Sequence, residues 1–208
     1  LSGLTEVTGS LYIGDNDALT NVDGLTSLTS VGGELVIVHN ERLANIDGLG
    51  SLTELGDNLW VSYNSALTHV DGFASLTSGG GSLDISNNGS LTDIGGLSSL
   101  TSVASNLDIR ENESLSTLDG LSSLTHVDGE IMIVENDALT HIDGLVNLTE
   151  VGGDLAIALN PILTDIDGLG SLTHVGGGVN ITYQNELTSI NGLANLTTVG
   201  GDLAIGFN

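Results

Sequence analysis

The groups in this 208-residue chain that could do chemistry are 27 carboxylates, five histidines and two arginines, Arg42 and Arg110, with no lysine and no cysteine. A carboxylate followed by glycine recurs at Asp23, Asp47, Asp71, Asp119, Asp143 and Asp167, with Gly95 and Asn191 in the two equivalent places. Such a ladder could take one cofactor, Ca²⁺, but that ion asks for roughly six to eight oxygens. A single interrupted column supplies too few. Asp-Gly therefore reads first as turn chemistry, the carboxylate bonding nearby backbone N–H groups. His39, His69, His126, His141 and His174 scatter over three different repeat positions. His126, Glu150 and His174 are equivalent neighbours, yet their spacing closes no known metal site. No Ser/His/Asp set is assembled, no Gly-rich phosphate loop opens a helix, and Arg110 would be the only basic group on its face. The expectation is a non-catalytic protein.

What positions these groups is a repeat. Leu35-Val36-Ile37-Val38-His39-Asn40 returns every 24 residues, from Leu11-Tyr12-Ile13 to Leu203-Ala204-Ile205. The two apolar residues are spaced by two, so they share one face of a strand. An amide follows each: Asn16, Asn40, Asn64, Asn88, Asn112, Asn136, Asn160, Gln184 and Asn208. A buried amide at a bend could bond the backbone of its own coil and the next; at Gln184, one methylene longer, Asn185 could take the role instead. A strict period without insertions means a solenoid in which each repeat is one coil of a stack. The expected fold is mainly β, about nine coils with three sides each, built from short strands joined by tight bends. Leucine columns beginning at Leu19 and Leu28 make the core.

We expect one domain over residues 1–208, belonging to a larger surface protein, because the chain opens on Leu1 inside a repeat and shows no polar end caps. Uncapped coils would offer a route to self-association. A net charge of −25 repels nucleic-acid phosphates and anionic lipid, so neither is an expected partner. No apolar run is long enough for a membrane span.

Comparing coils separates positions that hold the stack from positions left free. The free ones cluster on the Leu-x-Ile-x-x side. Five of the six aromatic residues lie there, and Phe73 alone replaces a core leucine. Outward Tyr and Trp are enriched in binding sites. This side reads as a ligand-binding face anchored on Trp60 and Tyr63. Val36, Val38 and His39 flank them on one side, and Asp84 and Asn87 on the other. Asp108, Arg110, Glu111 and Met132 lie further along, with Tyr12 and Tyr183 towards the two ends. Another part of the parent protein, or a second copy, is the alternative cover for the face. A regular array, Ser27-Leu28-Thr29 through Ser171-Leu172-Thr173, has the look of an ice-binding face, against the plainer reading that its hydroxyls satisfy local backbone.

The combined frame Leu-x-x-Leu-x-x-Val-x-Gly-x-Leu-x-Ile-x-x-Asn-x-x-Leu-x-x-Ile-x-Gly-Leu, seen over residues 25–49 and 145–169, resembles the receptor L-domain family. These domains are leucine-rich-repeat relatives. The resemblance covers essentially the whole chain and implies a right-handed, β-helix-like solenoid. It also implies an extracellular or cell-surface protein that binds a protein or glycan on one sheet face. The absence of cysteines and the regularity of the repeats depart from the animal receptors and favour a microbial surface protein. A structural spacer or self-associating scaffold is the alternative.

Overall fold

The computed structural model describes residues 1–208. Each repeat contributes one four-residue strand, one two-residue strand and one 3₁₀ turn, and no α-helix occurs. The long strands, Leu11–Gly14 through Leu203–Gly206, form one continuous nine-stranded parallel sheet in sequence order. Every residue pairs with its equivalent one repeat away, as in Leu35↔Leu59 and Trp60↔Asp84. This is a parallel β-solenoid.

The register follows from alternation. Leu35 and Ile37 are fully buried while Val36 and Val38 stay partly exposed. A slip of one residue would turn the whole apolar set outward, so the pairing is strongly specified. Forty-seven buried apolar side chains, among them Leu28, Leu43, Leu67 and Phe73, form one continuous core. That core runs through the stack without a break that would divide it.

The expectation that all three sides are strands needs correcting. The Asp-Gly-Leu side is a ladder of 3₁₀ turns, from Asp23–Leu25 to Asn191–Leu193. Leu25 N–H bonds Val22 O at 2.9 Å and Leu28 N–H bonds Leu25 O at 2.8 Å, so the chain curls tightly rather than extending. Glycine is required here for close approach: a β-carbon on Gly48 would overlap the Val22 carbonyl, and one on Gly144 the Leu118 carbonyl.

The turn chemistry also lies elsewhere than expected. The Asp carboxylates at Asp23 and its equivalents make no backbone hydrogen bond. The residue two positions earlier does the work: Asn21, Asn45, Asp93, Thr117, Asp165 and Ser189 each accept the N–H that opens the 3₁₀ turn. His69 and His141 occupy the same column, and there Nδ1 lies 3.6 Å from Asp71 and Asp143 respectively.

The two-residue strands form two sheets rather than one. Three strands from Glu6–Val7 to Glu54–Leu55 pair together, and six from Ser78–Gly79 to Thr198–Val199 form a second set. The gap falls beside Gly79, which stands where Val31, Val103 and Val127 fill the core.

The amide ladder forms as its residue type dictates. Asn40 Nδ2 donates to Ile13 O (2.9 Å), Val38 O (3.0 Å) and Asn64 Oδ1 (3.1 Å), while its own Oδ1 accepts from Asn16. Gln184 keeps the position, fully buried, with Oε1 accepting Asn160 N–H at 3.0 Å. The expectation that Asn185 would replace it is wrong, because Asn185 is exposed. The longer side chain of Gln184 does lose a bond: Nε2 reaches Thr182 O but makes no contact with the preceding coil.

Candidate recognition face

The outer face of the nine-stranded sheet and the bend that follows it carry every residue expected to contact a ligand. At that bend the backbone is left-handed in all nine coils, with φ between 54° and 60° at Asp15, His39, Tyr63, Asn87, Glu111, Glu135, Leu159, Tyr183 and Phe207. None of the nine is glycine, and no glycine in the chain adopts a positive φ. Asp and Asn tolerate this conformation, whereas bulky residues occupy it at a cost. The bend thus projects side chains away from the sheet as a ridge, one tooth per coil.

The aromatic residues of the ridge are ordered by stacking. The His39 and Tyr63 rings lie 4.7 Å apart and nearly parallel, as do Tyr183 and Phe207 at 5.0 Å. Equivalent residues one coil apart sit at about the strand spacing of ~4.8 Å, which is close to the separation at which offset rings attract. Trp60 is 45% exposed on the sheet and Tyr63 is 50% exposed on the ridge. Val36 and Val38 beside them are half-buried. Tyr12 is exposed at the first long strand, where its hydroxyl donates to Asp15 Oδ2 at 3.0 Å. That bond to a carboxylate raises the phenol's pKa, because ionising it would set two anions together.

The centre of the sheet is charged and paired within itself, although Asp108 Oδ1 and Arg110 Nε are buried without a hydrogen-bond partner. Arg110 lies 3.0 Å from Asp108 and 3.7 Å from Asp84, so it pairs locally rather than waiting for a ligand carboxylate. Asp84 also accepts the Ser86 hydroxyl. Asp108 keeps only 14% of its side chain exposed and its pKa is raised to about 6. Burial is the main cause. Asp84, Glu130 and Glu111 push the same way, and Arg110 opposes them without prevailing. Met132 lies beside Asp108 in register and is half-buried.

Compared with known proteins, the sequence matches no family model and no curated protein. What the face can do rests on its own geometry.

Two cavities open along the ridge. One, about 330 Å³, is lined by Asn87, Gly89, Glu111, Glu113, Glu135 and Asp137, without an apolar side chain. The next, about 360 Å³, shares Glu135 and Asp137 and continues to Leu159, Pro161, Tyr183 and Asn185. Asn87, Glu111 and Tyr183 were expected at the face. Glu113, Asp137 and Pro161 were missed, because they sit two residues on, beyond the buried amide. The signal was present in the sequence: that position is as variable between coils as the ridge itself.

The other constellations stay apart. No group of three or more His, Asp or Glu side chains is arranged to hold a metal ion. His126, Glu150 and His174 are indeed register neighbours on the short strands. In the Ser-Leu-Thr array the hydroxyl protons are spent on the preceding coil: Ser51 donates to Thr26 O at 2.8 Å and Thr53 to Thr29 O at 3.2 Å. No helix is long and apolar enough to cross a membrane.

Proposed function

We propose that this protein is a non-catalytic recognition or adhesion module of a cell surface, in keeping with the receptor L-domain resemblance, and that it binds a protein or glycan on the outer face of the nine-stranded sheet. The observation carrying this reading is the exposure of Trp60 and Tyr63 on a backbone fixed by hydrogen bonds on both sides. An indole left in water on a rigid sheet costs hydrophobic free energy that docking recovers. Because the sheet is already formed, little ordering entropy opposes binding.

The hydroxyl array supports the spacing of the coils rather than a ligand, since its donors are engaged with backbone carbonyls.

The test is a binding screen against glycans and surface proteins with wild type and Trp60→Ala side by side. A ligand captured by wild type and lost in the variant, with an unchanged far-UV spectrum, supports the reading. Unfolding of the variant would show Trp60 to be a packing residue and remove the basis for it.

A further inference from the structure

The ridge cavities point to a more specific ligand than the sheet face alone. The second cavity is lined by Pro161, Leu159, 40% exposed, and Tyr183, 49% exposed, with Asn185 beside them. The same cavity ends on Glu135 and Asp137, which it shares with the neighbouring cavity, where Glu111 and Glu113 join them. One groove therefore runs along the stack from an apolar end to an anionic end. No Lys or Arg lines either part.

Coil geometry gives the groove a ruler. The apolar end is centred between the Leu159 and Tyr183 coils, the anionic end between the Glu111 and Glu135 coils. Those centres are two coils apart, ~9.6 Å at the usual strand spacing. A polyproline II helix repeats every ~3 residues with a rise of ~3.1 Å, so residues i and i+3 point the same way ~9.3 Å apart. In a flat β-strand, same-side residues fall at i+2 or i+4, ~6.7 or ~13 Å apart, and miss one end or the other.

We propose that this groove binds a polyproline II segment of another protein, presenting an aliphatic residue and a Lys or Arg three positions apart. The aliphatic side chain lies over Pro161 between Leu159 and Tyr183, and the cation lies among Glu111, Glu135 and Asp137. Charge complementarity selects the occupant. A second copy of the chain offers no such segment: it has no Lys, Arg110 is held by Asp84 and Asp108, and the residues three positions from Arg42 are His39 and Asn45. The inference rests on the reading of the molecule as a recognition module and adds the ridge to the sheet face as a second contact surface.

The experiment uses the full chain and fluorescein-labelled synthetic peptides read by anisotropy at low and high salt. The first peptide carries Leu-Pro-Pro-Lys between prolines. One control moves the Lys one position closer to the Leu, and a second replaces it with Glu. The first should bind ~10-fold tighter than either control and weaken with salt. Leu159→Gly, which removes the apolar wall from a backbone that glycine adopts more readily, should stay folded and lose ~10-fold in affinity. Glu135→Gln should weaken binding and flatten its salt dependence, while Glu54→Gln, an exposed carboxylate on a short strand away from the ridge, should leave it unchanged. Equal binding of the three peptides, no binding of any, or indifference to both ridge variants would overturn the proposal. So would a concentration-dependent dimer dissolved by Leu159→Gly, which would give the groove to a second copy. Uptake of Ca²⁺ abolished by Glu135→Gln would give it to an ion. If Trp60→Ala alone abolishes peptide binding, the groove assignment falls while the sheet-face reading stands.

Discussion

Replacing Asp108 with asparagine should stabilise this protein at neutral pH, although it removes the closest partner of Arg110. The carboxyl's pKa rises from 3.8 to about 6 in the fold, because burial outweighs the guanidinium 3.0 Å away. A raised carboxyl pKa means that the folded state prefers the protonated acid. Below pH 3.8 the group is neutral in both states and carries no penalty. As pH rises from there towards 6 the penalty for ionising the folded protein grows, and above that it is fully present. A shift of about two units corresponds to at most ~3 kcal/mol. Solvent around a site on the outer face of the sheet screens part of this, leaving ~1–2 kcal/mol. The attraction of Arg110 is already contained in that net shift and is not subtracted again. The asparagine amide would fill the same volume without charge, and Arg110 would keep Asp84 at 3.7 Å. Urea unfolding of both proteins at pH 5 and pH 8 reads the effect. The variant should gain ~1 kcal/mol at pH 8, with the difference shrinking at pH 5. A loss of stability at pH 8, or an unchanged pH dependence, would show that the ion pair with Arg110 governs the site and that burial does not.

Three further outcomes follow from the stack. Gln184→Asn restores the reach to Ile157 O that every other interior amide has, and should raise stability by ~1 kcal/mol in thermal unfolding. Asn112→Leu leaves Asn88 N–H without its partner and removes one bond each from the Asn88 amide, which keeps Val61 O and Ser86 O, and from Ile85 O, and should lower stability by ~2–3 kcal/mol; a change under ~1 kcal/mol would mean that the ladder contributes little. Gly79→Val has room for its side chain, since a β-carbon there meets only Gly81 O at 3.8 Å. It should stabilise by ~1 kcal/mol, with slower amide exchange on the short strands of coils flanking Ser78–Gly79 as the two sheets join.

The sequence made the stack legible because equivalent residues lie on top of one another. Leucine on leucine and asparagine on asparagine repeat the same contact, so one coil read well predicts the others. The core columns and the buried amides were visible for that reason. The 3₁₀ side was not, because Asp-Gly-Leu is too short for its period to differ from that of a bend between strands. Its capping residues escaped notice because Asn21, Asp93, Thr117 and Ser189 perform one role with three chemistries, amide, carboxylate and hydroxyl, so the column looks unrelated from coil to coil. The left-handed bend was hidden for the opposite reason: the usual marker, glycine, is absent from it. The ridge groove needed two variable columns to be read together across a buried one. Leu159 and Pro161 gain meaning only when Asn160 between them is known to point inward.

The amide ladder has a consequence for how such a molecule changes length. Each Asn from Asn16 to Asn136 bonds an identical Asn one repeat of 24 residues away, so the two sides of a cut at that interval in this part of the stack are chemically interchangeable. Excising residues 88–111 would bring Asn87 directly before Asn112, and the severed rungs would find equivalent partners again. The product would be the same object, shorter by ~4.8 Å. A deletion that is not a multiple of 24 residues would put the columns out of register through the rest of the stack. Unequal recombination between repeats is thereby filtered by the fold itself into whole steps, and the reach of the surface can be adjusted one rung at a time.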